Sequence, residues 1–152
     1  MDIKEDDLTG PEILDLLNEH LRNMHEWSPP ESVHALDIER LKAPDIVFWS
    51  AWQNGHLLGC IALKRHTATM AEIKSMRTAK TARGKGVAKA LLAHLEQFAK
   101  TDGVRKLYLE TGAEPYFTAA RQLYLRHGYQ VCGPFADYQP DPLSVFMHKS
   151  LS

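Results

Sequence analysis

Ile13, Leu14, Leu17 and Leu21 recur at helical spacing behind Thr9-Gly10-Pro11. The spacing predicts an amphipathic helix with Pro11 in its first turn, where the missing N–H is tolerated. A short strand is expected ahead of it over 1–4. A second short helix is expected over about Ser32–Leu41, ended by Ala43-Pro44. Residues 45–52 are β-branched and aromatic and read as a strand. Asn54-Gly55 is a strong hairpin signal, so 57–63 reads as the return strand. Residues 71–78 form a third candidate, where Ile73 and Met76 break strict alternation and point to a bulge or bend.

Val87, Leu91, Leu95 and Phe98 form the clearest helical stripe, widened by Ala90 and Leu92. That helix is expected over 86–100, closed by Thr101-Asp102-Gly103. A strand over 107–110, a turn at Thr111-Gly112 and a helix over 116–127 follow. Two last strands are expected over 131–134 and 144–148, with loops at 27–30 and 137–142. The order is β–α–α–β–β–β–α–β–α–β–β, a mixed α/β fold around one central sheet.

The chain has 152 residues, and no repeat or linker divides it; a single domain over 1–152 is expected. Hydrophobic residues make up 44% and charged residues 24%, which argues against an intrinsically disordered chain. Lys+Arg is 18 against Asp+Glu 19, so no basic surplus points to nucleic acid. The longest apolar run, Ile46–Trp52, is far below the roughly 20 residues of a membrane span. The acidic first residues do not look like a secretory signal. Cys60 and Cys132 stand apart and read as reduced thiols, so a cytoplasmic protein is expected. The histidines are scattered, His20 and His25 lie five apart, and no metal site is expected.

The most informative segment is Arg83-Gly84-Lys85-Gly86-Val87-Ala88, between a predicted strand and a predicted helix. Glycines let the backbone approach a ligand, and a helix N-terminus offers unpaired N–H groups and partial positive charge. Together they suit a phosphate or pyrophosphate. The segment is neither a Walker loop nor a dinucleotide fingerprint, whose third small residue is here Lys89.

Arg83-x-x-Gly86-x-Ala88 resembles the [Q/R]xxGx[G/A] loop of the Gcn5-related N-acetyltransferases, the GNAT family. Ala120-Arg-Gln-Leu-Tyr124-Leu-Arg-His-Gly128-Tyr129 is similar to the family's A-x-x-L-Y-x-x-x-G-[FY] stretch. Two motifs in order, separated by a strand, are a strong signal. The runs Pro134-Phe-Ala-Asp-Tyr138, Asp141-Pro142 and Ser144-Val-Phe-Met147 resemble a bacterial subgroup of uncharacterised GNAT proteins. So do Ser28-Pro-Pro30 and Ser32-Val-His-Ala-Leu36.

The resemblance implies a mixed sheet of about six to seven strands, flanked by about four helices. A splayed parallel strand pair, here 72–78 and 106–110, would hold acetyl-coenzyme A. Its pyrophosphate would sit on the backbone from about Gly84 to Ala88, flanked by Arg83 and Lys85 and including Gly86 and Val87. Its pantetheine arm would pair with the backbone at Met76, Arg77 and Thr78. The implied reaction is acetyl transfer to a primary amine by direct attack in a ternary complex.

An amine needs a base to take its proton, and the departing thiolate needs an acid. Glu72 matches a position where some members hold a carboxylate base. In a sheet-lined cleft its pKa is expected to be raised. The alternative is a strand-face charge paired with Lys74 or Lys64. Glu110 competes as base, or orients the amine. Tyr124 matches the tyrosine that donates to the departing sulfur, with a core aromatic as the alternative. Seven residues before it, where many members have Asn, stands Phe117.

The expected acceptor walls are the loops over 24–32 and 137–144, which offer His25, Glu26, Trp27, Tyr138 and Asp141. Aromatic and acidic groups together suit a small-molecule amine or an amino acid derivative. The competing reading is a catalytically degenerate coenzyme-A-binding regulatory module. The apolar strands predicted near the C-terminus are compatible with a homodimer.

Overall fold

A computed structural model describes residues 1–33 and 36–151. His34 and Ala35, inside the expected second helix and the run that resembles the bacterial subgroup, lie outside the described residues. Among the described residues seven strands form one sheet: β1 Asp2–Glu5, β2 Ile46–Gln53, β3 His56–Arg65, β4 Met70–Thr78, β5 Lys106–Gly112, β6 Gln130–Cys132 and β7 Ser144–Ser150. Four α-helices flank it: α1 Pro11–Trp27, α2 Ile38–Leu41, α3 Val87–Thr101 and α4 Thr118–Arg126. The strand order is β1-β2-β3-β4-β5-β7-β6, antiparallel except for the parallel pair β4–β5.

Period-two alternation sorts side chains onto two faces. Trp49, Ile61, Leu63, Ala71, Ile73, Leu107 and Leu109 join Leu91, Leu92 and Leu95 of α3 and Tyr124 of α4 in one buried cluster. Burying each such leucine contributes about 1.5–3 kcal/mol. Phe48, Cys60 and Ala62 point the other way, onto Ile13, Leu16 and Leu17 of α1 and Leu41 of α2. The opposite faces of β4 and β5 therefore carry different chemistry. Ala71 and Ile73 are core on the α3 side, while Glu72 and Lys74 lie on the α1 side.

The expected second helix is shorter than its sequence suggested. A 3-10 turn spans Pro30–Ser32, Val33 is extended, and α2 starts only at Ile38. Asp37 caps it, its carboxylate accepting from the Arg40 N–H at 2.8 Å. Thr111-Gly112 is strand rather than turn, paired with Val145 and Ser144 of β7. These two positions extend β5 beyond its last contact with β4.

Candidate active site

The β4–β5 pairing runs from Met70↔Lys106 to Ile73↔Leu109 and stops. Both strands continue, β4 to Thr78 and β5 to Gly112, so they part like a V. A bulge in β4 assists. Cys60 pairs with Arg77 and Ala62 with Lys74, so Ser75 and Met76 together oppose one residue of β3. Ser75 holds the strained φ of 53° that accommodates the extra residue. The parity shift turns Arg77 toward α1, where its guanidinium meets Glu19 at 2.6 Å. A cleft of ≈ 160 Å³ opens at the parting. Glu72, Met76, Glu110 and Tyr124 line it together with His20 from α1 and Ser144 from β7.

Glu72 is 2% exposed and has three donors around it. Tyr138 Oη donates to Oε2 at 2.6 Å, Lys74 Nζ lies 3.3 Å from Oε2, and His66 Nε2 lies 2.8 Å from Oε1. Lys74 Nζ also donates to the Tyr138 hydroxyl at 2.8 Å. Burial alone would raise the Glu72 pKa. The His66 hydrogen bond, the Lys74 charge and the Tyr138 hydrogen bond outweigh it and hold the carboxyl below its usual range. The expected upward shift is thus reversed, because a strand reading does not count the donors that folding delivers. Tyr138 is steered there by the Phe135 ring at 5.0 Å and the Phe146 ring at 5.7 Å, and by a turn in which its N–H donates to the Phe135 carbonyl. Burial first, then the Glu72 charge, raises the Tyr138 hydroxyl pKa.

Tyr124 reaches the cleft from the other side. It is 6% exposed, and its hydroxyl lies 3.8 Å from the Met76 sulfur. Burial raises its pKa, so the hydroxyl keeps its proton at neutral pH. Glu110 lies between the two systems, half-buried, with Ser144 Oγ donating to Oε2 at 2.7 Å. His20 shows part of its ring to the cleft, while its covered Nδ1 has no hydrogen-bond partner. Burial and then the Arg77 charge push its pKa down to about 4, so it is neutral.

The segment ahead of α3 fits an anionic ligand. Gly84 and Gly86 have φ of 77° and 78°, and a Cβ at either would meet nothing within 4 Å. The glycines therefore serve backbone conformation rather than packing. No side chain caps the α3 N-terminus and no acidic residue stands in its first turn. The orphan N–H groups and the helix dipole are left for a ligand, beside exposed Arg83 and Lys85.

The remaining expected positions divide clearly. The Met76 side chain is at the cleft, whereas the Arg77 side chain is engaged with Glu19. Thr78 is half-buried at the end of β4. Tyr138 meets Glu72, but His25 is exposed in a separate groove with Asn18, Leu21, Arg22 and Glu26. Trp27 stacks on Tyr116 at 4.4 Å, and Ser28 donates to Glu114 at 2.9 Å, so the α1 end is tied to the segment ahead of α4. Phe117 packs on Gly112 so tightly that a Cβ there would lie 2.1 Å from the ring. Cys60 is buried with its pKa pushed up to about 12, and its thiol stays protonated. Among the described residues no group of three or more His, Cys, Asp or Glu could hold a metal ion.

The sequence reading did not name His20, His66 or Ser144 as residues of the site. A signal existed for His20, which follows Leu16 and Leu17 by four and three positions on the buried stripe of α1. His66 is brought in by the turn between β3 and β4, where its N–H donates to the Met70 carbonyl, and Ser144 by the register of β7 on β5; the sequence displays neither.

The family model described as "Acetyltransferase (GNAT) family" matches residues 11–129. The Bacillus subtilis protein named "Uncharacterized N-acetyltransferase YsnE" is 52% identical over 99% of this chain and 100% of its own. An Azospirillum brasilense protein named "IAA acetyltransferase" is 39% identical over 91% of this chain and 90% of its own. A solved structure of a Klebsiella pneumoniae protein superimposes with a TM-score of 0.80 at 32% identity. It covers 99% of this chain and 97% of its own.

Proposed function

The chain belongs to the GNAT family of acetyltransferases and is an N-acetyltransferase; from that premise we propose that it acetylates a primary amine of a small molecule by direct attack in the β4–β5 cleft. The observation that carries this reading is the parting of β4 and β5 after Ile73↔Leu109, with carboxylates on one side and Tyr124 on the other. Acetyl-coenzyme A fits the chain on two counts. The uncapped α3 N-terminus with Gly84 and Gly86 suits the pyrophosphate through the backbone from Gly84 to Ala88. The open flank of β4 at Met76, Arg77 and Thr78 suits an extended arm through main-chain contacts. When bound, the coenzyme supplies the acetyl thioester.

The protein groups divide the proton work. Glu110, supported by Ser144, receives the amine and takes its proton directly or through water. Glu72 is committed to Lys74, His66 and Tyr138 and acts as the fixed counter-charge that organises the acceptor side. The Tyr124 hydroxyl donates to the departing sulfur. The amine nitrogen gains a bond to the acetyl carbon as the carbon–sulfur bond breaks. Of the two protons the ammonium loses, one ends on the thiol and the other passes to solvent.

Calorimetric titration with acetyl-coenzyme A, coenzyme A and ATP tests the reading, followed by an amine panel read by thiol release. Selective acetyl-coenzyme A binding at micromolar level, lost in Gly86→Ile, is expected. Equal binding of ATP, or no binding, overturns it. Coenzyme binding without turnover of any amine would favour a regulatory module instead.

A further inference from the structure

His20 is a polar group that the fold leaves unanswered. It follows Leu16 and Leu17 on the buried stripe of α1, with its ring at the edge of the β4–β5 cleft. A buried polar side chain normally finds a hydrogen-bond partner, and one without needs an explanation. Among the described residues His20 Nδ1 is covered and unpartnered. So is the hydroxyl of Ser75, the strained residue of the β4 bulge, which borders the same cleft. With Nδ1 covered, Nε2 is the ring nitrogen that a molecule in the cleft reaches.

The side of the sheet decides what that molecule is. The helices α3 and α4 pack on one face, whereas α1 packs on the other. On the acetyl-transfer reading the coenzyme comes from the α3 face, so a group carried by α1 meets the acceptor. Glu110 of β5 borders the same cleft. At ≈ 160 Å³, on the order of five water volumes, the cleft is small enough for one nitrogen to meet both residues. Burial first, then the Arg77 charge, keep the imidazole neutral. A neutral ring of such low basicity accepts an N–H without taking its proton, while a carboxylate is suited to take one.

We propose that His20 Nε2 accepts a hydrogen bond from the acceptor nitrogen, fixes the direction of its lone pair, and so selects primary amines over secondary ones. The proposal rests on the acetyl-transfer reading above and names the residue that chooses its acceptor. A primary amine attacking the acetyl carbon carries two N–H groups beside its lone pair. Glu110 takes one of those protons as the carbon–nitrogen bond forms and the carbon–sulfur bond breaks. The other stays on nitrogen as the N–H of the amide product, and His20 holds that one from attack to product. A secondary amine has a single N–H at attack. Once Glu110 takes it, nothing is left for His20, and the ring stays unanswered.

The test assays each primary amine that is turned over beside its N-methyl analogue, whose basicity is nearly the same. The primary amine is expected to exceed the N-methyl amine by about tenfold or more in kcat/KM. His20→Leu removes both ring nitrogens at similar volume. It should lower kcat/KM for the primary amine about tenfold, change the N-methyl amine by less than about twofold, and leave the affinity for acetyl-coenzyme A as it was. His20→Gln, which keeps an acceptor near the Nε2 position, should retain most of the preference. Urea unfolding at pH 7 separates this role from packing. His20→Leu removes an unsatisfied buried group, so its midpoint should rise while activity falls. A lower midpoint would mean that the ring already has its partner in the folded protein, and overturns the proposal. So does a loss shared equally by both amines. If acetyl-coenzyme A itself fails to bind, the acetyl-transfer reading fails and this proposal with it. If amines are acetylated and the ratio is unchanged in His20→Leu, only the role of His20 is lost.

Discussion

Tyr138 and Glu72, 66 positions apart, meet at 2.6 Å, the tyrosine hydroxyl donating to a carboxylate that is 2% exposed. The contact joins the loop between β6 and β7 to the floor of the cleft. Tyr138→Phe removes the hydroxyl and leaves both Glu72 and Lys74 short of a partner. The expected cost is about 1–3 kcal/mol, read by urea unfolding at pH 7. The Glu72 pKa should rise in the variant, since one of the donors holding it down is gone. In a Glu72→Gln background the same substitution should cost clearly less. Equal costs in both backgrounds would mean the two residues do not act together.

His20 sets a pH window for stability. Its folded pKa of about 4 is below the ordinary 6.5, so the unfolded chain binds its proton first as pH falls. Its penalty is absent above pH 6.5, grows between 6.5 and 4, and is complete below about 4. The full gap corresponds to about 3 kcal/mol. Glu72 acts lower. Its folded pKa is depressed, so its contribution is present above 4.5 and is lost as pH falls through its folded value. His20→Gln should therefore flatten the unfolding free energy between pH 6.5 and 4 and leave the steeper loss at more acid pH. An unchanged slope in that interval would show that His20 titrates normally.

Tyr124→Phe separates chemistry from packing. The hydroxyl's contact with the Met76 sulfur, at 3.8 Å, is weak, and the ring stays in the core. Stability should change by less than about 1 kcal/mol. If the hydroxyl donates to the leaving sulfur, kcat should fall on the order of 100-fold with little change in the KM for acetyl-coenzyme A. Full kcat across pH would remove Tyr124 from the reaction and return it to the core.

The sequence by itself determined most of the elements and the backbone shape of the 83–88 segment. Helical stripes and strand alternation report burial on one face, which is a local property of spacing. Asn54 and Gly55 show why turns were legible, since both take the positive φ, 53° and 77°, that their types favour. The break in alternation at Ile73 and Met76 marked the β4 bulge for the same reason. Gly84 and Gly86 likewise encode backbone shape locally.

The tertiary structure decided what depends on register and on chain segments far apart. Strand pairing set Lys64 beside Glu72, the bulge turned Arg77 away to Glu19, and the loop after β6 carried Tyr138 to Glu72. The pKa of Glu72 follows from those arrivals, and its direction reversed because burial alone is visible in a strand pattern. His25 and His20 differ by five positions on one helix, yet only His20 faces the cleft. Which face of α1 meets the sheet is fixed by packing, and the Glu72 side of the cleft is built from just such non-local choices.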